Sequence, residues 1–235
     1  MQMKKIYGWD YYCERILRKS QLFIENSLAE KENSYIVFDI RDRGKERTIC
    51  QVDKTSGLYQ LQNNLNRNLL AKIPLSKAAA GFVRGLSYQD YLRPHCGKKF
   101  HMRLDIHHFF DHVTEEQVIK SLEEFVQDEK IRENIGEITT FNGKLPQRAV
   151  TSPAVSNIVF RRIDQRILKY CQSVRKVREG KKFYQEDLIY TRYADDMMFS
   201  SDYLDFRRDL FVYRMIKHIL KENGFSLNEK KTYMA

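Results

Sequence analysis

The sequence lacks the features that mark zinc, secreted and membrane proteins. Its four cysteines lie far apart and none belongs to a Cys-x-x-Cys pair, which argues against a zinc site and favours free thiols in a reducing cytosol. The N-terminal residues reach Asp10 before an apolar run develops, and no later segment is long and apolar enough to cross a membrane. We therefore expect a cytoplasmic protein without a membrane partner.

Internal repeats, low-complexity linkers and proline-rich stretches are also missing. With 42% hydrophobic residues among 235, the chain can bury one large core or two closely packed ones. Its net charge of +10 favours a polyanionic partner, and nucleic acid is the commonest such partner. Many basic proteins are merely well solvated, so the charge by itself leaves both interpretations open.

Hydrophobic periodicity predicts a mixture of helices and strands. Helices are predicted over residues 9–29 and 58–70, from 114 to 125, from 152 through 167, and from 205 to 223. Strands are predicted over residues 35–40, 46–52, 100–106, 188–193 and 197–200, with a basic connection over 175–182. The order after residue 100 suits an α+β fold with helices on one face of an antiparallel sheet.

Two adjacent aspartates, Asp195 and Asp196, fall in the turn predicted between the last two strands. Their like charges repel unless a cation offsets them, and Mg²⁺ prefers carboxylate oxygens. Asp105 ends another apolar strand, and a third carboxylate near the turn would allow two Mg²⁺ ions to assist attack of a hydroxyl on a phosphate. A solvated acidic turn and a capping role for Asp105 are the plainer alternatives.

Four segments in order resemble motifs of the reverse-transcriptase family, particularly its bacterial retron, group II intron and phage-defence branches. Residues 104–110 resemble the first palm motif, and residues 145–157 resemble the Leu-Pro-Gln-Gly-x-x-x-Ser-Pro-x-x-x-Asn motif. Residues 190–200 resemble the bacterial Tyr-x-Arg-Tyr-Ala-Asp-Asp segment, and residues 224–232 the fourth palm motif. The resemblance covers residues 35–235.

This resemblance implies the fingers and palm of a right-hand polymerase, with an antiparallel palm sheet. We expect the N-terminal helix and fingers over residues 1–104 and the palm over 105–235, with a segment returning to the fingers around 142–185. The thumb is expected to lie outside this chain.

The resemblance also implies roles for individual residues. The implied catalytic residues are Asp105, Asp195, Asp196 and Lys231, the last as proton donor to the leaving pyrophosphate. The implied metal ligands are Asp105, Ile106, Asp195 and Asp196. The implied nucleotide-binding residues are Arg47, Lys45, Phe110 and Gln147, with Phe110 as a steric gate against ribose. The implied nucleic-acid-binding residues are Arg84, Arg148, Arg175, Lys176 and Arg178. Core packing for Phe110, and solvated surface positions for Gln147 and the basic residues, are the alternatives.

Three positions depart from the family pattern, namely Arg148, Val150 and His108, the last of which stands where an acidic residue is common; a retron signature is also incomplete. Arg148 stands where the family usually has glycine, so its side chain must point away or contact phosphate. Val150 stands where bacterial members often have proline. Of the Asn-Ala-x-x-His signature associated with retrons, only His95 is present.

The implied function is that of an RNA-directed DNA polymerase, a nucleotidyltransferase that uses two Mg²⁺ ions, with Mn²⁺ as a substitute. The implied setting is bacterial antiphage defence or a retron, and the implied partners are an RNA template, a DNA or RNA primer, dNTPs, a non-coding RNA and an effector protein. One alternative is a template-independent or protein-primed DNA polymerase on the same fold. Another is a non-catalytic RNA-binding scaffold, which loss of a carboxylate would favour, whereas all three are present.

Overall fold

A computed structural model describes residues 6, 8–42, 45–178, 182–185 and 188–235, and it describes side chains outside residues 40–48 and 175–187. The chain forms two compact units. The first contains Met1–Pro74 and Phe110–Val159, and the second contains Leu75–Phe109 and Phe160–Ala235. The assignment of fingers and palm to sequence ranges stays a prediction.

Helices and strands follow one another in short runs along the chain. The α-helices are α1 (Trp9–Tyr11), α2 (Gln21–Ala29), α3 (Gly57–Asn68), α4 (Tyr88–Leu92), α5 (Glu115–Ser121), α6 (Glu129–Thr139), α7 (Ser152–Ser173) and α8 (Phe211–Glu222). The strands are β1 (Tyr35–Asp42), β2 (Lys45–Val52), β3 (Phe100–Asp105), β4 (Arg175–Arg178), β5 (Lys182–Gln185), β6 (Ile189–Tyr193), β7 (Asp196–Ser201) and β8 (Tyr233–Met234). Among the described residues, no helix is both long and apolar enough to span a membrane.

The first unit combines a β-hairpin with several helices. Strands β1 and β2 pair antiparallel from Tyr35 opposite Val52 onward, as the sequence predicts. Helix α3 begins after Ser56, whose hydroxyl accepts a hydrogen bond from the Tyr59 amide at 3.1 Å. Its apolar residues recur at helical spacing and are fully buried, which confirms the predicted helix.

The single helix predicted over residues 9–29 is wrong, because the chain breaks at Arg18. A π-helix over Tyr12–Leu17 follows α1 and ends at Arg18, which has a left-handed φ of 52°. Side-chain amides of α3 satisfy the carbonyls freed at this end: Asn64 donates to Leu17 at 2.7 Å and Asn68 to Ile16 at 2.8 Å. Periodicity alone cannot reveal such tertiary partners.

Three further elements differ from the sequence prediction. Helix α6 was not predicted, although Asp128 caps it by accepting from the Ile131 amide at 3.2 Å. The basic connection over residues 175–182 instead contains β4, paired antiparallel with β5. The helix predicted from residue 205 begins at Phe211, because the Asp205 carboxylate accepts from the Arg207 amide at 3.1 Å in a local turn.

The second unit is built on a four-stranded antiparallel sheet of order β6-β7-β3-β8. One face is largely apolar and buried: Leu104 and Met197 are buried, and the Tyr190 and Phe199 rings stack 4.8 Å apart across β6 and β7. Helix α7 meets this face through Asp164, which accepts from the Tyr190 hydroxyl at 2.7 Å. The antiparallel sheet and the α+β class are therefore confirmed.

The opposite face of the sheet receives a short segment made of α4 and the 3₁₀ turn Arg93–His95. The Thr191 hydroxyl of β6 donates to the Tyr91 carbonyl at 2.9 Å, and the Tyr91 ring lies 6.0 Å from that of Tyr193. This segment covers β6. Asp105 lies at one end of the same sheet, where β3 ends beside the start of β7.

Candidate active site

A tight hairpin turn connects β6 to β7 and carries the paired aspartates. Tyr193 pairs with Asp196, so the turn itself consists of Ala194 and Asp195, and Asp196 is the first residue of β7. The prediction that both aspartates lie in the turn is therefore wrong for Asp196. Ala194 has a left-handed φ of 55°, the conformation that two-residue hairpin turns require at their first position.

The fold brings three carboxylates together at one end of the sheet. Asp105, at the end of β3, pairs with Asp196 on the neighbouring strand, and the Ile106 amide donates to the Asp195 carbonyl at 2.9 Å. Asp105 is only 5% exposed. Burial raises the pKa of Asp195, and the negative charges of Asp105 and Asp196 raise it further.

Two cations hold these carboxylates. Arg103 binds Asp196 through two hydrogen bonds, Nε to Oδ1 at 3.1 Å and Nη2 to Oδ2 at 2.7 Å. The Lys231 ammonium lies 2.6 Å from the Asp105 carboxylate. The sequence prediction missed Arg103, although residues two apart on a strand share a face and thus place Arg103 beside Asp105.

The carboxylates suit a divalent metal, because they are hard oxygen donors whose mutual repulsion a cation relieves. Ile106 can contribute only its main-chain carbonyl, since its side chain is apolar. Within the described ranges, no three His, Cys, Asp or Glu side chains converge as a preformed metal cage. Arg103 and Lys231 already occupy oxygens of Asp196 and Asp105, so metal binding requires these cations to share or release them.

Three other predicted residues lie in the first unit. Phe110 begins the 3₁₀ turn Phe110–His112 and is half-buried, as is Gln147. Arg148 is exposed and has a left-handed φ of 67°. This backbone conformation is a physical reason for the glycine that the family usually has here. The Ser152 hydroxyl donates to the Pro146 carbonyl at 2.5 Å and so ties the preceding loop to the start of α7.

Among the remaining basic residues of the prediction, only the Arg84 side chain belongs to the described part of the chain. Arg84 is exposed in the second unit. Lys45 and Arg47 belong to β2, opposite Asp42 and Ile40, and their side chains lie outside the described residues. The same is true of the β4 side chains, which are Arg175, Lys176 and Arg178.

A fully buried ion pair behind the hairpin was not predicted from the sequence. Arg192 binds Asp164 through Nε at 3.0 Å and Nη2 at 2.9 Å, and both side chains are 0% exposed. The Arg192 Nη1 group donates to the Ala194 carbonyl at 3.0 Å. The guanidinium also lies 4.5 Å from the centre of the Phe160 ring. Strand alternation could have indicated this pair, because it places Arg192 on the same buried face of β6 as Tyr190.

His95, the remaining residue of the retron signature, lies in the interior of the second unit. Its Nδ1 lies 2.7 Å from the Ser200 hydroxyl and its Nε2 lies 2.8 Å from the Thr191 hydroxyl. The ring is 2% exposed, and burial, aided by His101, lowers the pKa of His95 to about 4. The imidazole is therefore neutral at pH 7 and joins the short segment Arg93–His95 to β6 and β7.

An antiparallel sheet with a long helix on one face and three carboxylates at adjoining strand ends is the arrangement of a polymerase palm. The family model described as "Reverse transcriptase (RNA-dependent DNA polymerase)" matches residues 30–235. The chain belongs to this family, which confirms the resemblance drawn from its motifs, and the family uses divalent metal ions.

Curated relatives of the chain are retron reverse transcriptases. The chain is 28% identical to "Retron Ec86 reverse transcriptase" of Escherichia coli, over 86% of this chain and 59% of that protein. It is also 28% identical to "Retron Mx65 reverse transcriptase" of Myxococcus xanthus, over 86% of this chain and 48% of that protein. The chain thus spans about half the length of the curated relatives it matches.

Solved structures support the fold. A telomerase from Candida albicans, determined with a fragment of telomeric RNA, matches 86% of this chain and 42% of its own, with a TM-score of 0.50 and 14% identity. A telomerase from Candida tropicalis, determined in the apo state, matches 85% of this chain and 43% of its own, with a TM-score of 0.50 and 13% identity. At such identities the likeness concerns the fold alone.

Proposed function

We propose that this chain is the catalytic part of an RNA-directed DNA polymerase that adds deoxynucleotides to a primer. The observation that carries the proposal is the pairing of Asp105 with Asp196 across β3 and β7, with Asp195 in the adjoining turn. Carboxylates that lie close together repel each other, and the pKa of Asp195 is raised first by burial and then by the charges of Asp105 and Asp196. A site for divalent metal explains why this repulsion is tolerated.

In this proposal Asp105, Asp195, Asp196 and the Ile106 carbonyl hold two Mg²⁺ ions, for which Mn²⁺ can substitute. Bound metal ions lower the pKa of an attacking hydroxyl and stabilise the charge on the leaving group. The Asp105 and Asp196 carboxylates, fixed on paired strands, set the position of the reacting phosphate. We assign proton donation to the departing pyrophosphate to Lys231, whose Nζ lies 2.6 Å from the Asp105 carboxylate.

The other roles concern substrates. We assign Phe110 to exclusion of the ribose 2′-hydroxyl, and Gln147, Lys45 and Arg47 to contacts with the incoming dNTP. Arginine suits phosphate because its guanidinium makes paired hydrogen bonds. The nucleic-acid backbone is assigned to basic residues that neutralise phosphate charge, namely Arg84, Arg148, Arg175, Lys176 and Arg178.

The partners follow from the family and the relatives. We propose an RNA template, a DNA or RNA primer and dNTPs, within a retron or a related bacterial antiphage system that adds a non-coding RNA and an effector protein. The relatives' names and the net charge of +10 support this setting. All four cysteines are free thiols, which suits the reducing cytoplasm.

Primer extension tests the proposal. The protein is incubated with a primed RNA template, labelled dNTPs and Mg²⁺, and the products are sequenced. The double variant Asp195→Ala, Asp196→Ala should abolish incorporation and retain RNA binding, measured by fluorescence anisotropy. Asp202→Ala is the matched control, because Asp202 follows the far end of β7 and should leave incorporation unchanged.

Three outcomes would contradict the assignment. Synthesis retained in the double variant would remove the carboxylates from the chemistry. Equal synthesis with and without RNA would favour a template-independent polymerase, and incorporation absent from the unmodified chain while RNA binding persists would favour the scaffold.

A further inference from the structure

The buried ion pair between Arg192 and Asp164 calls for a role beyond stability. Removing two charges from water is so costly that buried ion pairs often stabilise a fold no more than apolar side chains of similar volume. Here both side chains are 0% exposed. Asp164 is nevertheless well satisfied, because it accepts two bonds from Arg192 and one from the Tyr190 hydroxyl at 2.7 Å. The arrangement is specific and rigid.

The same guanidinium reaches the catalytic turn. Arg192 Nη1 donates to the Ala194 carbonyl at 3.0 Å, and Ala194 is the left-handed residue directly before Asp195. A left-handed conformation is unfavourable for alanine, because its Cβ crowds the neighbouring backbone. The bond from Arg192 therefore opposes relaxation of this turn.

The main chain of Arg192 is anchored as well. Its amide donates to the Ala78 carbonyl at 2.7 Å, and its carbonyl accepts from the Ala80 amide at 2.8 Å. Gly81 then passes so close to the turn that an added Cβ would lie 2.5 Å from the Ala194 nitrogen. Arg192 is thus fixed at both its backbone and its side chain, and the Ala194 carbonyl is bonded to that fixed point.

We propose that Arg192 and Asp164 are positioning residues for the metal-binding turn. Asp164 and the Phe160 ring orient the guanidinium, and the guanidinium holds Ala194 in the left-handed conformation that directs Asp195 toward Asp105. This inference rests on the proposed function of Asp195 as a metal ligand. Lysine cannot replace the arginine, because one ammonium lacks the planar fork that bonds Asp164 and Ala194 together.

An apolar replacement separates positioning from stability. The triple variant Arg192→Met, Asp164→Leu, Tyr190→Phe removes both charges of the ion pair and the hydroxyl bonded to Asp164, so neither charge is left buried without the other. We expect its melting temperature to stay within about 5 °C of the unmodified protein. We expect its affinity for Mn²⁺, titrated alone by electron paramagnetic resonance, to fall about 10- to 100-fold. Its kcat for nucleotide incorporation should fall by a similar factor, with the KM for dNTP within about threefold.

A second change tests the route through Ala194. Because glycine tolerates positive φ, adding Ala194→Gly to the triple variant should restore at least about tenfold in Mn²⁺ affinity. Arg192→Lys is the variant to use if the triple variant does not fold, and it should weaken Mn²⁺ binding about tenfold. Gln62→Leu is the control: Gln62 is fully buried in the other unit and donates to Ile138 at 2.9 Å, so its loss should lower stability without changing Mn²⁺ affinity.

The results separate this inference from the proposed function. Unchanged Mn²⁺ affinity in the triple variant, or in Arg192→Lys if that variant is used, overturns the inference even when the protein is active. Weakened Mn²⁺ binding that Ala194→Gly does not restore also overturns it. If the unmodified protein incorporates no nucleotide, the proposed function fails, and Mn²⁺ affinity still decides whether Arg192 positions the turn.

Discussion

Acid should destabilise the second unit through His95. The ring is 2% exposed and its two nitrogens lie 2.7 and 2.8 Å from the hydroxyls of Ser200 and Thr191. Burial, with a smaller contribution from His101, lowers the pKa of His95 from 6.5 to about 4. The folded state therefore holds this imidazole neutral at a pH where the unfolded chain has already bound a proton.

The size of the effect follows from that difference. A pKa of about 4 in the folded state against 6.5 in the unfolded chain corresponds to about 3 kcal/mol. The unfolded state binds more protons between these values, so stability rises with pH across this window. The contribution is fully present above pH 6.5 and is lost as the pH falls toward 4. For a chain of this length, that loss lowers the melting temperature by roughly 6–12 °C.

The assay is urea unfolding at pH 7.5 and 4.5, compared between the unmodified protein and His95→Gln. Glutamine stays neutral, so the fall in stability between the two pH values should be smaller in the variant by about 2–3 kcal/mol. His218→Gln is the control for loss of an imidazole at the surface, because His218 is 59% exposed and its ion-pair partner Glu222 is exposed as well; the effect of His95→Gln should exceed that of His218→Gln. An identical pH dependence in the unmodified protein and His95→Gln would refute the reasoning.

Two further changes test the backbone geometry. Gly81→Ala should lower the free energy of unfolding by about 1–3 kcal/mol, because the added Cβ would lie 2.5 Å from the Ala194 nitrogen. Gly8→Ala is the control and should change it by less than about 0.5 kcal/mol, because its Cβ meets nothing within 4 Å. Equal melting temperatures of the two variants would contradict this prediction. Arg148→Gly should stabilise the protein by about 0.5–1 kcal/mol. The left-handed φ of 67° strains an arginine, and relief of that strain exceeds the conformational entropy that glycine adds to the unfolded chain. A lower urea midpoint for the variant than for the unmodified protein would contradict this prediction.

Two cations, Arg103 and Lys231, compensate the charge of the carboxylates in the site. Arg103 and Lys231 neutralise Asp196 and Asp105, so these ion pairs offset part of the repulsion between the carboxylates. Asp195 forms an ion pair with neither of these two cations, and burial is the main cause of its raised pKa. Under the proposed function, a bound metal ion would add to the compensation that these two cations already give the carboxylates.

Local patterns in the sequence were sufficient for several features. The strand ending at Asp105, the hairpin before Asp196 and the helix beginning near Ser152 follow from alternation, turn chemistry and capping, which depend on neighbouring residues. The order of the motifs was likewise enough to indicate the family, since each motif is a short continuous segment. The charge on the chain favoured a polyanionic partner but left plain solvation equally open.

Only the tertiary structure decided which distant side chains meet. Lys231 bonds Asp105, which lies 126 residues earlier in the chain. Arg192 bonds Asp164 because α7 packs on the sheet face from which the Arg192 side chain projects. The break at Arg18 also depends on distant partners, the amides of Asn64 and Asn68. Sequence periodicity reports which face a residue occupies on its own helix or strand. What lies opposite that face is set by strand order and packing, which no local pattern contains.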